Sequence, residues 1–131
     1  MIRVSRDCGM NERVMRWNAL KSTDQVDEIR EESKSNPVLI FKYSNRCSVS
    51  QLALDRLERK WSEEDTAGIK PYFLDLINFR EISNRIAHQF EVEHESPQVI
   101  VIKDGRSVYD GSHFDIDYGD ILQAAKAERI T

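Results

Sequence analysis

Cysteine is scarce in this sequence: 131 residues hold two, Cys8 and Cys47, with three histidines scattered at His88, His94 and His113. That set shows no metal-ligand spacing, and HESPQ at 94–98 is not the H-E-x-x-H of a zinc site. No G-x-S-x-G marks a serine hydrolase. No apolar run nears the roughly 20 residues that cross a bilayer, and the opening MIRVSRDCGMNERVMRW carries arginines without the apolar core of a secretory signal. Basic residues are interspersed with acidic ones at a net charge of −4, which leaves no cationic stripe for phosphates. Neither nucleic acid nor membrane is therefore an expected partner. Repeats and low-complexity tracts are also missing. What is present, at 40% hydrophobic and 32% charged residues, suits one domain over 1–131 that buries its own core, with 1–14 as a flexible N-terminal extension. A cytoplasmic location is expected, with both cysteines reduced at rest.

The chain is organised around Pro37–Trp61, PVLIFKYSNRCSVSQLALDRLERKW. Val38, Leu39, Ile40 and Phe41 offer water no polar position, as in a strand buried on both faces of an α/β sheet. From Val49 the period becomes helical, with Leu52, Ala53, Leu57 and Trp61 on one stripe and Gln51, Asp55, Glu58 and Arg59 outside it. A strand that passes through a short polar loop into a helix sets Cys47 at or just before the helix N-terminus. Unpaired backbone N–H groups and the positive end of the macrodipole favour a thiolate there. The effect matters because an unperturbed thiol is only about 3% ionised at neutral pH. Arg46 and Lys42 are placed to add to it, although solvated cations contribute less than fixed dipoles. An isolated cysteine is more often a small buried hydrophobe, but Ser44, Asn45, Arg46, Ser48 and Ser50 make this the most polar part of the stretch.

Around that centre, Met15–Leu20 reads as a short first strand with Trp17 and Leu20 inside. Ser22 and Gln25 form a capping-box pattern ahead of a helix that turns Val26, Ile29 and Ser33 inward and stops at Asn36 and Pro37. After a break at Thr66–Gly68, Pro71–Ile77 is a third strand. Asn78 caps a helix whose buried stripe is Phe79, Ile82, Ile86 and Phe90, with His88 outside. Val99–Ile102, an Asp104-Gly105 turn and Ser107–Asp110 make an antiparallel hairpin, and Pro97 suits both a strand start and a cis bond after Ser96. Asp115 and Asp117 head a last helix with Ile121, Leu122 and Ala125 inside. The order is β-α-β-α-β-α-β-β-α: an α/β fold with a central mixed sheet and helices on both faces.

These elements, with a cysteine opening the second helix and a proline opening the hairpin, resemble the thioredoxin fold from about Met15 to the C-terminus. In that register Cys47 matches the nucleophile, Ser50 the resolving cysteine of C-x-x-C, and Pro97 the cis-proline facing the thiol. The thioredoxin aspartate that serves the second cysteine is replaced by Phe41. More narrowly, FKYSNRCSVSQLAL and HESPQVIVIKDGRSVYDGSHFDI look like the YtxJ-like family, the monothiol bacilliredoxins of the bacillithiol system, which show a T-R-C-P-I-S site and a later S-H-F-D. Here Arg46, Cys47 and Ser112–Asp115 are kept, Asn45 replaces the threonine and Ser48 the proline.

The resemblance implies a one-thiol reaction. Cys47 takes a low-molecular-weight thiol such as bacillithiol from a capped client protein and passes it to a second thiol, a partner bacilliredoxin or a disulfide reductase. Ser50 and Arg46 are expected to stabilise the sulfur. Ser96 and Pro97 would hold the client chain as an added strand, and Lys42 or Arg46 would meet a carboxylate on the small thiol. That thiol is a co-substrate, and neither a tightly bound cofactor nor a metal is expected. Two alternatives stay open: a non-enzymatic adaptor that binds clients at the same site, and, more remotely, metal or cluster binding by Cys47 with His94 or His113. Cys8 reads more readily as an incidental surface thiol than as a resolving one.

Overall fold

Residues 38–41, apolar at every position, occupy the centre of the sheet and are wholly buried. The computed structural model describes residues 16–127; Cys8, Met15 and the extension expected over 1–14 lie outside them. Within that span the elements are β1 (Asn18–Ala19), α1 (Asp24–Glu32), β2 (Val38–Tyr43), α2 (Ser48–Lys60), β3 (Lys70–Asp75), α3 (Arg80–Phe90), β4 (Gln98–Lys103), β5 (Arg106–Ser112), a 3₁₀ turn (His113–Asp115) and α4 (Tyr118–Lys126). The sheet order is β1-β3-β2-β4-β5. β2 runs parallel to β3 and antiparallel to β4, and the β4–β5 hairpin closes the far edge. Its turn residues Asp104 and Gly105 both have positive φ, 53° and 80°, the backbone that two-residue hairpin turns require.

Alternation along β2 divides the interior in two. Val38 and Ile40 pack with Val26 and Ile29 of α1 and Ile82, Ile86 and Phe90 of α3. Leu39 and Phe41 pack on the other face with Ala53, Leu54 and Leu57 of α2 and Ile121 and Ala125 of α4. Phe41 meets the rings of Trp17, Tyr43 and Phe73 at 5.9, 6.3 and 6.1 Å between centroids.

Several expected details differ. The inner stripe of α2 keeps Ala53 and Leu57 but is rotated by about one residue, so that Ser50, Leu54 and Glu58 are also buried while Leu52 is 46% exposed. The rotation has a partner, since the Trp17 indole N–H donates to Glu58 Oε2 at 2.9 Å and brings that carboxylate inside. Asn78 is not the cap of α3. It and Ile77 donate to the Asp75 carboxylate in a turn, and the helix starts after Phe79 without a side-chain cap. Only the return half of the capping box forms, with Gln25 Oε1 accepting from Ser22 N at 3.1 Å. Leu122 is only partly buried.

Candidate active site at the head of the second helix

Parallel pairing of β2 with β3 and antiparallel pairing of β2 with β4 bring three segments to one end of the sheet: the loop after β2, the start of β4, and the 3₁₀ turn after β5. Cys47 occupies the first of these. It is the N-cap of α2, extended at φ −118° and ψ 117°, and its carbonyl accepts from Ser50 N at 3.0 Å. The loop is tied in place by its own polar residues. Cys47 N donates to Ser44 O, Arg46 N to Ser44 Oγ, and Gln51 Nε2 to Asn45 O.

Cys47 is partly exposed. Its sulfur accepts no full hydrogen bond from the helix end, yet the thiol is held below its ordinary pKa. The Ser50 amide acts most strongly, partial burial opposes it, and the Val49 amide and the Ser50 hydroxyl add to the lowering. The physical cause is the first-turn N–H groups beside the N-cap sulfur, of which Ser50 N is shared with the Cys47 carbonyl. Ser50 is completely buried, and its oxygen also accepts from Ser44 N at 3.3 Å. Arg46 is exposed, and the groups that lower the thiol belong to the helix start instead, so its expected share in stabilising the sulfur is not found in this geometry.

The second segment carries Ser96 and Pro97, half-buried and buried, joined by a cis bond. The segment is anchored by a residue that the sequence reading passed over. Gln98, 1% exposed, accepts from Glu95 N at 3.3 Å and donates to Glu93 O at 3.0 Å. An amide directly after Pro97 and ahead of an all-apolar strand was the available signal. The third segment closes on the second, with His113 N donating to Pro97 O at 3.1 Å and His113 Nε2 lying 3.6 Å from Glu95 Oε1. His113 has φ 54°, a backbone that non-glycine residues seldom adopt and that clusters at functional sites. Starting at Val49, two residues after Cys47, α2 and the 3₁₀ turn bound a groove lined by Val49, Leu52, Arg56, His113 and Phe114 among others; Phe114 is 69% exposed.

Lys42 requires a correction. Expected at the strand end as a cation for a small-thiol carboxylate, it is wholly buried. Strand alternation turns it onto the face of α1 and α3, where Nζ lies 3.2 Å from His94 Nδ1. An ammonium sealed there does not reach a ligand in solvent. His94 also lies 3.1 Å from Ser83 Oγ, and among the described residues no group of three His, Cys, Asp or Glu side chains is placed to hold a metal. No helix of the described residues is long and apolar enough to cross a membrane.

Comparison with known proteins agrees with this geometry. A family profile described as monothiol bacilliredoxin BrxC matches residues 18–121. A solved thioredoxin-fold structure, described provisionally as an oxidoreductase, is 33% identical over 81% of this chain and 90% of its own, with a TM-score of 0.69. Thioredoxins from Malassezia sympodialis (13% identity, 86% of this chain and 92% of theirs, TM-score 0.67) and Trypanosoma brucei brucei (16%, 88% and 92%, 0.63) share the fold. A thioredoxin-like sheet with a lone cysteine heading its second helix, matched over most of its length by one profile, places the chain in the monothiol bacilliredoxin BrxC family, whose chemistry is thiol redox exchange.

Proposed function

We propose that the protein is a monothiol thiol–disulfide oxidoreductase that removes a low-molecular-weight thiol, such as bacillithiol, from protein mixed disulfides. The observation that carries the reading is the pairing at the head of α2 of a partly exposed, pKa-lowered Cys47 with a buried Ser50 hydroxyl three residues on, where a resolving thiol would otherwise stand.

The Cys47 thiolate attacks the cap sulfur of a client's mixed disulfide. The S–S bond of the client breaks, a new one joins Cys47 to the cap, and the client leaves as a thiolate that takes a proton from water. No electrons are gained or lost overall, because one disulfide replaces another. Ser50 has no sulfur with which to expel the cap, so Cys47 stays loaded until a second small thiol or a partner oxidoreductase attacks it. The Ser50 hydroxyl and the first-turn amides favour ionised sulfur both before attack and as the leaving group. The client is read as a protein because the exposed Phe114 and Leu52 flank the groove that begins at Val49, and the Ser96–Pro97 backbone is the edge against which an extended chain would lie. Such exchange suits a reducing compartment, here the cytoplasm.

The test is incubation with a protein carrying a bacillithiol or a glutathione cap, read by intact mass. The cap is expected on Cys47 of the wild type and of Cys8→Ala, and on neither site of Cys47→Ala. Client binding without cap transfer would instead identify an adaptor, and release that requires Cys8 would identify a two-thiol mechanism.

A further inference from the structure

Lys42 is fully buried, and among the described residues no ion pair joins it to a carboxylate. Burial alone brings its pKa down to about 8, so the position is unfavourable for an ammonium, and methionine or leucine would fill the same space on β2 without that penalty. What lysine adds is a donor aimed at His94 Nδ1. Ser83, fully buried on α3, places its hydroxyl oxygen 3.1 Å from the same nitrogen. Because an ammonium can only donate, its contact makes Nδ1 the acceptor, which assigns the ring as neutral with its proton on Nε2.

The groups facing His94 are Lys42 from β2, Arg80 from α3 and Glu95 from its own loop, two cations against one carboxylate. Burial acts most strongly to hold His94 below its ordinary pKa, the two cations add to the lowering, and Glu95 opposes it. Ser83 could turn its hydroxyl round to accept from a protonated ring, but an ammonium cannot. Proton uptake by His94 therefore sets donor against donor and cation against cation. His94 stands two residues before Ser96 in a segment whose other anchors, the Gln98 side chain and His113 N, do not depend on this ring.

We infer that Lys42 and Ser83 are positioning residues that act through neutral His94 to hold residues 93–97 in the arrangement that receives the client chain, and that this hold is lost when His94 takes up a proton. The role in client docking rests on the function proposed above, whereas the anchoring itself does not.

Hydrogen exchange on the intact protein tests the anchoring without turnover. Protection factors, which divide out the intrinsic rate, are compared for the amides of 93–96 and for those of Leu39 and Ile100 in the sheet, which report the global fold. In the wild type, loop protection is expected to fall about tenfold from about pH 7.5 to about pH 5 while the sheet amides hold. His94→Asn, which keeps an uncharged acceptor near the Nδ1 position, is expected to flatten that course. Lys42→Met is expected to lose loop protection already at neutral pH and Lys42→Gln to recover part of it. In the cap-transfer assay Lys42→Met should raise KM about tenfold and leave alkylation of Cys47 by iodoacetamide unchanged. Equal pH courses in wild type and His94→Asn, or full loop protection in Lys42→Met, would overturn the inference. Absent cap transfer with these exchange changes intact would overturn the proposed function and leave the anchor standing.

Discussion

At the scale of single residues, the chemistry is carried by a sulfur that needs no strong partner. Cys47 is shifted chiefly by backbone amides of the first helical turn, so most of the effect is independent of side chains. Ser50 is the part that mutation can remove. Ser50→Ala is expected to move the midpoint of Cys47 alkylation against pH upward by less than about one unit, slowing the reaction at neutral pH about two- to fivefold. An unchanged curve would leave the hydroxyl without a role at the sulfur. The position of Cys47 was readable in the sequence, because an apolar run that ends in a polar turn and passes into a helical period has few places for a cysteine except the cap. Lys42 was not readable. Which face of β2 it takes follows from alternation, but whether that end of the strand is open or sealed depends on His94 and Ser83, 52 and 41 residues further along the chain.

At the scale of elements, periodicity located every helix and strand, and tertiary contacts decided their rotation and ends. The α2 stripe was displaced because Trp17, 41 residues earlier, draws Glu58 inward, a pairing that no local window contains. The displacement has a measurable consequence. Leu54, 2% exposed, should cost about 2–5 kcal/mol of stability when changed to alanine, whereas Leu52→Ser should cost less than about 0.5 kcal/mol in urea denaturation. The exposure of Leu52 also leaves an apolar surface on the groove between α2 and the 3₁₀ turn, where the unrotated helix would have hidden it. The missing Asn78 cap has a similar origin, since Asp75 at the end of β3 takes that side chain into its own turn.

At the scale of the whole molecule, two apolar layers on either side of β2 supply the stability, while the polar residues of the site gather at one end of the sheet. The fold was legible because order and connection follow from alternating periods and the Asp104-Gly105 turn. The convergence of the 3₁₀ turn on Pro97 through His113 was not, since it needs the register of β4 with β5. Lys42 sets a cost that the molecule as a whole should display. Its folded pKa, about 8, lies below the ordinary 10.5, so between these values the unfolded chain binds more protons and stability rises with pH. Lys42→Met, lacking this group, is expected to exceed the wild type at neutral pH by up to about 3 kcal/mol and to lose most of that lead by about pH 10, measured as urea midpoints at constant slope. A constant difference across that range would mean that the ammonium is not desolvated in the fold.

The bond from the Trp17 indole to Glu58 also decides how the molecule carries load. Residues 18 and 19 pair with β3, and the Trp17 ring lies 5.9 Å from Phe41 and 5.6 Å from Phe73, so tension at Trp17 would be shared between α2 and the central strands. Force applied at this end of the protein would therefore reach the helix that carries the sulfur and the middle of the sheet together.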